Sequence, residues 1–316
     1  MTRLLSLIYL FVINLRNRYY DRFPPKKLDF PVISVGGIRA GGSGKTPLTD
    51  WIIERIEETG KTPVLFSRGY KRLSRRTEIV APDDETCWQA VGDEPAMLKR
   101  RHKKLWLAID ANRKRAERKL RAFGLKNIVG VMDDGFQRRD FWRDLDVVIL
   151  APSDLTDNVL PSGLLREPVK SLERADITAS QKEIKNGKNC IVEFVAEEFV
   201  NAKSGEKKLN FDDEILCFCG IARPQRFLDS VNRLTKKENK HLFFPDHHRY
   251  CDKDYKTLSS ASQAVLVTTE KDFMRLDAKK TEKLQNLWYL SYRARIENES
   301  YVFIKNKILE ICGERK

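Results

Sequence analysis

After Pro24-Pro25 the chain alternates short β-branched runs with stretches of helical period, the pattern of a parallel sheet covered by helices. The predicted strands are Val32–Val35, Val64–Ser67, Leu105–Ile109, Ile128–Met132, Val147–Leu150 and Asp176–Ala179. Helices are expected near Leu48–Glu58, Glu94–Arg101, Arg113–Phe123 and Val169–Arg174. From Gln181 to Asn210 the sequence turns polar and Lys-rich around one short strand, Ile191–Val195. Beyond it lie strands near Ile215–Cys219, His241–Phe244, Val265–Thr268 and Trp288–Leu290, with helices near Gln225–Leu234 and Tyr301–Cys312. The expected fold is α/β: a mostly parallel sheet flanked by helices over 24–200 and a smaller α/β domain over 201–316, preceded by a helix over 1–23.

That first helix has its own pattern. Leu4, Leu5, Leu7, Ile8, Tyr9, Leu10, Phe11, Val12, Ile13 and Leu15 form a nearly continuous apolar stretch. A helix over these residues rises about 18 Å, against a hydrocarbon core of about 30 Å, so it is too short to span. A signal peptide is disfavoured, because only Arg3 supplies a basic leader and no small-residue cleavage site follows. The stretch runs into Arg16, Arg18, Tyr19, Tyr20, Arg22, Lys26 and Lys27, which suits a retained helix lying in the interface of an anionic membrane. The competing reading packs it on the protein's own core.

Composition narrows the class. Lys and Arg outnumber Asp and Glu by 59 to 45, a net charge of +14, which implies an anionic partner. The basic runs Lys99–Lys104 and Arg113–Arg121 are expected to be solvated helix faces, and no nucleic-acid module accompanies them, so no nucleic-acid partner is expected. The six cysteines form neither a CxxC pair nor a zinc-spaced group, which leaves no case for a disulfide framework. Cys217 and Cys219 alternate with apolar neighbours and read as small core residues on a strand.

The strand ending at Val35 leads through Gly36, Gly37, Ile38 and Arg39 into Ala40-Gly41-Gly42-Ser43-Gly44-Lys45-Thr46 and a helix with Pro47 in its first turn. In that order the glycines let backbone N–H groups converge on phosphate oxygens. Lys45 reaches the β and γ phosphates, and Thr46 ligates Mg²⁺. Arg39 stands where the strict GxxxxGKT pattern needs its first glycine, so this is a variant P-loop holding ATP. A metal-binding carboxylate is expected at a neighbouring strand end. Of two candidates, the pair Asp133-Asp134 before Gly135 is favoured over Asp110, which reads as a helix cap.

Further motifs follow in order: Ser67-Arg68-Gly69-Tyr70, Gly92-Asp93-Glu94-Pro95, Asp133-Asp134-Gly135-Phe136-Gln137, Leu160-Pro161-Ser162-Gly163-Leu164-Leu165-Arg166-Glu167-Pro168, Phe244-Pro245-Asp246-His247-His248 and Thr268-Thr269-Glu270-Lys271-Asp272. With the P-loop they make the chain, over residues 1 to about 275, resemble the tetraacyldisaccharide 4′-kinases of lipid A biosynthesis. The resemblance departs at Gly37, where an Asn is expected, and at Arg138, where a His is common.

The resemblance implies transfer of phosphate from ATP, with Mg²⁺, to the 4′-hydroxyl of a tetraacylated glucosamine disaccharide 1-phosphate. It also implies peripheral attachment at the cytoplasmic face of the inner membrane. Asp93 and His247 would form an acid–base dyad, either one taking the hydroxyl proton. Arg166 would stabilise the transferring group and Glu167 would sit near the metal with Thr46, Asp133 and Asp134. Ser67 and Arg68, where a predicted strand ends at the sheet edge, are expected to contact the disaccharide or a phosphate, and Gln137 the substrate. Lys271 and Asp272 either frame the nucleotide or form a solvated turn.

Overall fold

The computed structural model describes residues 2–41, 44–184, 189–261 and 263–313. They form two compact units, Met1–Phe194 with Ala294–Lys316, and Val195–Arg293. The C-terminal segment, expected in the smaller unit, therefore belongs to the larger one.

The larger unit begins with helix α1 (Thr2–Arg22), then β1 (Val32–Gly37), α2 (Lys45–Glu58), β2 (Thr62–Ser67), β3 (Glu78–Val80), α3 (Trp88–Val91) and α4 (Asp93–Arg101). It continues with β4 (Trp106–Ile109), α5 (Arg113–Arg121), β5 (Ile128–Asp133), β6 (Leu145–Leu150) and β7 (Ile177–Ser180). Strand β8 (Asn189–Asn201) is far longer than the short Ile191–Val195 strand expected, and it carries the chain into the second unit. Strands β7, β6, β1, β5, β2 and β4 lie side by side in that order, all parallel, with the short β3 antiparallel on the far edge. The β-branched runs explain this: every residue of β1, β5 and β6 is buried, as strands covered on both faces require. Because β5 returns between β1 and β2, the carboxyl ends of these three strands open at one sheet edge, where α/β folds place ligands.

The second unit contains β9 (Lys207–Lys208), β10 (Ile215–Cys219), α6 (Pro224–Thr235), β11 (Lys240–Phe243), α7 (Asp252–Ser260), β12 (Val265–Thr269), α8 (Glu270–Arg275), α9 (Ala278–Thr281) and most of β13 (Leu287–Ile296). Strands β11, β10, β12 and β13 form a parallel sheet. Period-2 alternation splits β10 between two cores: Cys217 and Cys219 cluster with Phe227 and Val231 of α6, Phe218 with Tyr255 and Leu258 of α7. Burial pushes the Cys217 thiol up to about 12, so it behaves as an apolar filler.

The last helix, α10 (Asn298–Gly313), returns to the larger unit. Its buried Ile304, Ile308 and Cys312 repeat every four residues. Tyr301 packs edge-on against Trp51 of α2 at 5.6 Å and accepts a hydrogen bond from Arg55.

Helix α1 is built inside out. Leu4, Leu5, Leu7, Ile8, Phe11, Val12 and Leu15 are exposed, Phe11 by 69%. The residues that meet the rest of the unit are mostly polar: Ser6, Tyr9, Arg16 and Asn17, with Ile13 the buried apolar exception. The reading of α1 as a helix packed by its apolar side on the core is thus excluded. Among the described residues, no helix is long and apolar enough to cross a membrane.

Candidate active site

The phosphate loop starts where β1 ends. Arg39 is fixed in two ways: its backbone bridges Leu165, and its guanidinium pairs with Asp154 and Asp157, each at 3.0 Å. Ala40, expected among the phosphate ligands, has its amide N–H committed to the Leu164 carbonyl at 2.8 Å. Gly42 and Ser43, also expected to bind ATP, lie outside the described residues. Gly44 enters α2 with φ +87°, and a Cβ there would collide with the Phe194 ring at 2.6 Å, so only glycine fits. Lys45 opens the helix and curls back over the loop, its Nζ 3.5 Å from the Gly41 carbonyl and 3.5 Å from Asp134 Oδ1. Thr46 is buried in the first turn.

Asp133 sits opposite Val35 of β1, so the sheet register brings the carboxylate pair beside the phosphate loop. The two carboxylates differ. Asp133 is buried, its Oδ2 faces the Ser67 hydroxyl at 3.5 Å, and its Oδ1 has no hydrogen-bond partner. Burial, then the charges of Glu94 and Asp134, push its pKa well above the carboxylate range, against the pull of Lys45 and Arg113. Asp134, in the left-handed region at φ +51°, receives a bidentate grip from Arg166, both distances 2.8 Å. Burial opposes its ionisation, but Arg166 and Lys45 outweigh it and bring it down to about 2. A buried carboxylate with an open oxygen, an ionised neighbour and the Thr46 hydroxyl are hard oxygen donors suited to Mg²⁺. Among the described residues no three acidic, His or Cys side chains cluster as a metal site, so phosphates and water would complete the shell.

Arg166 is the hub of the cluster. Besides gripping Asp134, it donates to the Arg39 carbonyl at 3.1 Å, and its own N–H donates to the Ile38 carbonyl at 2.6 Å. Glu167, expected near the metal, keeps one carboxylate oxygen, Oε1, without a hydrogen-bond partner. It is fully buried, receives Asn17 at 3.1 Å and Arg174 at 2.9 Å, and faces Arg16 at 3.6 Å. Gln137 is likewise turned inward, donating to the Gly37 carbonyl at 3.0 Å, and Ser67 is buried beside Asp133 and accepts the Gly69 N–H. Arg68 is exposed. Asp93 is buried at the start of α4, its Oδ1 accepting the Glu94 N–H at 2.9 Å.

Two residues of this cluster were not read from the sequence. Glu94, in the first turn of α4, adds a negative charge that helps push the Asp133 pKa up. Arg113, assigned to a solvated basic face, is 3% exposed and donates to the Asp110 carbonyl at 2.5 Å. Burial lowers its pKa to about 10, with Arg138 adding to the effect and Asp133 and Asp134 resisting it, so it stays a cation. Its only local cue is its place at the first turn of a helix following a strand end. Lys99 is also buried, its ammonium shared among the carbonyls of Ala81, Pro82 and Leu105.

In the second unit, His247 adopts φ +59°, and its N–H donates to the Gly220 carbonyl at 2.8 Å. His248 is occupied elsewhere: Nε2 bonds Asp254 at 2.8 Å and the ring stacks on Phe244. Gly220 has no room for a side chain, since a Cβ would meet His248 Cβ at 2.8 Å and the Pro245 carbonyl at 2.9 Å. Asp272 is not in a solvated turn. It is fully buried and accepts from Gly220 N–H, Tyr250 and Arg275, while Arg275 also donates to the Gly220 carbonyl. The Thr268–Asp272 motif therefore frames the His247 loop.

The chain matches known proteins over nearly its whole length. The family model described as tetraacyldisaccharide-1-P 4′-kinase matches residues 1–309. A tetraacyldisaccharide 4′-kinase of Aquifex aeolicus is 32% identical over 310 residues, covering 93% of each chain. One from Koribacter versatilis is 34% identical over 274 residues, covering 83% of this chain and 84% of that one. A crystal structure of the "apo" form of the Aquifex aeolicus enzyme, described as in complex with ATP, superposes with a TM-score of 0.84 at 30% identity and covers 97% of both chains.

Proposed function

The chain belongs to the tetraacyldisaccharide 4′-kinase family and is an ATP-dependent kinase of lipid A biosynthesis, acting on the 4′-hydroxyl of tetraacyldisaccharide 1-phosphate; from that premise we propose that the transfer runs on the charged cluster where β1, β2 and β5 end. The observation that carries the proposal is the chain Arg166–Asp134–Lys45, two cations held on one ionised carboxylate beside the phosphate loop.

In the reaction the acceptor oxygen bonds to the γ-phosphorus, the bond from that phosphorus to the β–γ bridging oxygen breaks, and the hydroxyl proton leaves. Lys45 and Arg166 spread the charge that develops on the phosphoryl oxygens. Gly41 and Gly44 let the loop backbone approach the phosphates. Asp133, Asp134 and Thr46 would hold Mg²⁺, which when bound neutralises phosphate charge. Glu94 and Arg113 join them as residues that set the charge around Asp133.

Asp93 and His247 handle the proton. Either Asp93 of the larger unit or His247 of the smaller one takes it. Arg68 is the exposed cation for the acceptor, while Ser67 and Gln137 act from behind it, on Asp133 and on the Gly37 carbonyl. The exposed apolar face of α1 supports peripheral attachment to a lipid surface, and the location proposed for it is the cytoplasmic face of the inner membrane.

The test is transfer of labelled γ-phosphate from ATP with Mg²⁺ to tetraacyldisaccharide 1-phosphate in mixed micelles. Wild-type transfer should collapse in Lys45→Ala, Asp93→Ala and His247→Ala, each remaining folded. Full transfer by Lys45→Ala would remove the phosphate loop from the mechanism.

A further inference from the structure

Helix α1 does more than present an apolar face, because its polar face holds both loops of the charged cluster. Tyr9 Oη donates to the Arg166 carbonyl at 2.8 Å. Almost two turns later, Arg16 Nη2 donates to the Gln137 carbonyl at 2.7 Å, and Gln137 closes the turn that starts with Asp133-Asp134. Asn17 donates to Glu167, the neighbour of Arg166, at 3.1 Å. Ser6 fastens the start of the same loop through Val159 and Ser162, and Arg139 returns a bond to the Asn17 carbonyl at 2.8 Å. Asp134 and Arg166 thus sit on two separate loops, both tied to one helix.

We propose that Tyr9, Arg16 and Asn17 are positioning residues that set the Arg166–Asp134 pair, so that seating α1 on a lipid surface aligns the cations for phosphoryl transfer. This rests on the reading that Arg166 acts in the transfer and that the outer face of α1 meets lipid. The physical reason is the buried charge of Glu167. With α1 in place, Arg16, Asn17 and Arg174 all face its carboxylate. If α1 lifts, Arg16 and Asn17 leave, the buried charge loses much of its compensation, and the loop that carries Arg166 is free to rearrange. The lipid surface opposes that lifting by taking up the seven exposed apolar side chains from Leu4 to Leu15. Guanidinium placement matters at this scale, since a shift of about 1 Å can cost on the order of a hundredfold in rate.

The experiment compares Tyr9→Phe, the double variant Arg16→Met/Asn17→Ala and the conservative Arg16→Lys with wild type. Transfer is measured in mixed micelles at saturating ATP and Mg²⁺, and binding to vesicles of phosphatidylethanolamine and phosphatidylglycerol by flotation. The double variant should lose about tenfold in kcat, with KM for the lipid and vesicle binding within about twofold of wild type. Tyr9→Phe, which removes one oxygen and leaves the helix intact, should lose about threefold, and Arg16→Lys should keep most of the rate. Wild-type kcat in both the double variant and Tyr9→Phe overturns the proposal, as does a loss confined to vesicle binding and lipid KM. If the double variant does not fold, Tyr9→Phe decides. Arg166→Lys, run alongside, separates the two levels. If it keeps wild-type kcat, the role of Arg166 has failed; if it loses rate while the α1 variants do not, only the positioning role has.

Discussion

Two strands of the larger unit end in an aspartate at the same sheet edge, and the two carboxylates are treated in opposite ways. Asp110, after β4, is fully buried and saturated: it accepts from Thr77, from the Asn112 N–H at 2.8 Å and from both arms of Arg115. These bonds outweigh the cost of burial and hold it at about 2. Asp133, at the end of β5, is nearly as buried, yet one oxygen has no hydrogen-bond partner and its pKa is raised. A saturated buried carboxylate is part of the scaffold; an unsaturated one waits for a charge from outside.

The sharpest way to break this contrast is Asp133→Asn. It should lower label transfer on the order of a thousandfold while raising the melting temperature of the nucleotide-free protein, because an uncompensated charge is removed. Arg166→Lys keeps the charge but loses the bidentate grip on Asp134, and transfer should fall on the order of a hundredfold in the same assay. Asp110→Asn should do the reverse of Asp133→Asn. Chemical denaturation should show a loss of about 2 kcal/mol, with transfer at low temperature within a few-fold of wild type.

The smallest effect extends the contrast to a third group of carboxylates. His102, at the end of α4, is buried against α2, with Nε2 on Asp50 and Nδ1 on Glu57, both at 2.9 Å, and Arg101 also holds Asp50. Burial alone would lower the His102 pKa, but the bonds to Asp50 and Glu57 outweigh it and raise it. A raised folded-state pKa gives stability that is complete below the unfolded value of about 6.5 and lost as pH rises through the folded value. The melting-temperature gap between wild type and His102→Gln should therefore be widest at about pH 5.5 and close by a few degrees toward pH 9.

The β-branched runs made the sheet legible, because strands buried on both faces leave continuous apolar stretches. The short β3 and α3 were not, since three or four residues carry no period. Helix α7 was missed because only Tyr255 and Leu258 of its nine residues are buried. In the site, the meeting of Lys45, Asp134 and Arg166 followed from their places on loops leaving the sheet edge. The inward turn of Glu167 and the burial of Arg113 did not, because their partners are set by packing. Asn17 reaches Glu167 across 150 residues of chain. No local spacing encodes such a pair.

The open oxygen of Asp133 is proposed to be kept for a metal bound with the phosphates. The most direct test is a titration of Mn²⁺ into wild type, Asp133→Asn and Asp110→Asn in the presence of a non-hydrolysable ATP analogue, read by electron paramagnetic resonance. One tightly bound ion is expected in wild type and in Asp110→Asn, with binding weakened at least about tenfold in Asp133→Asn. Wild-type binding by Asp133→Asn, or its loss in folded Asp110→Asn, would contradict it.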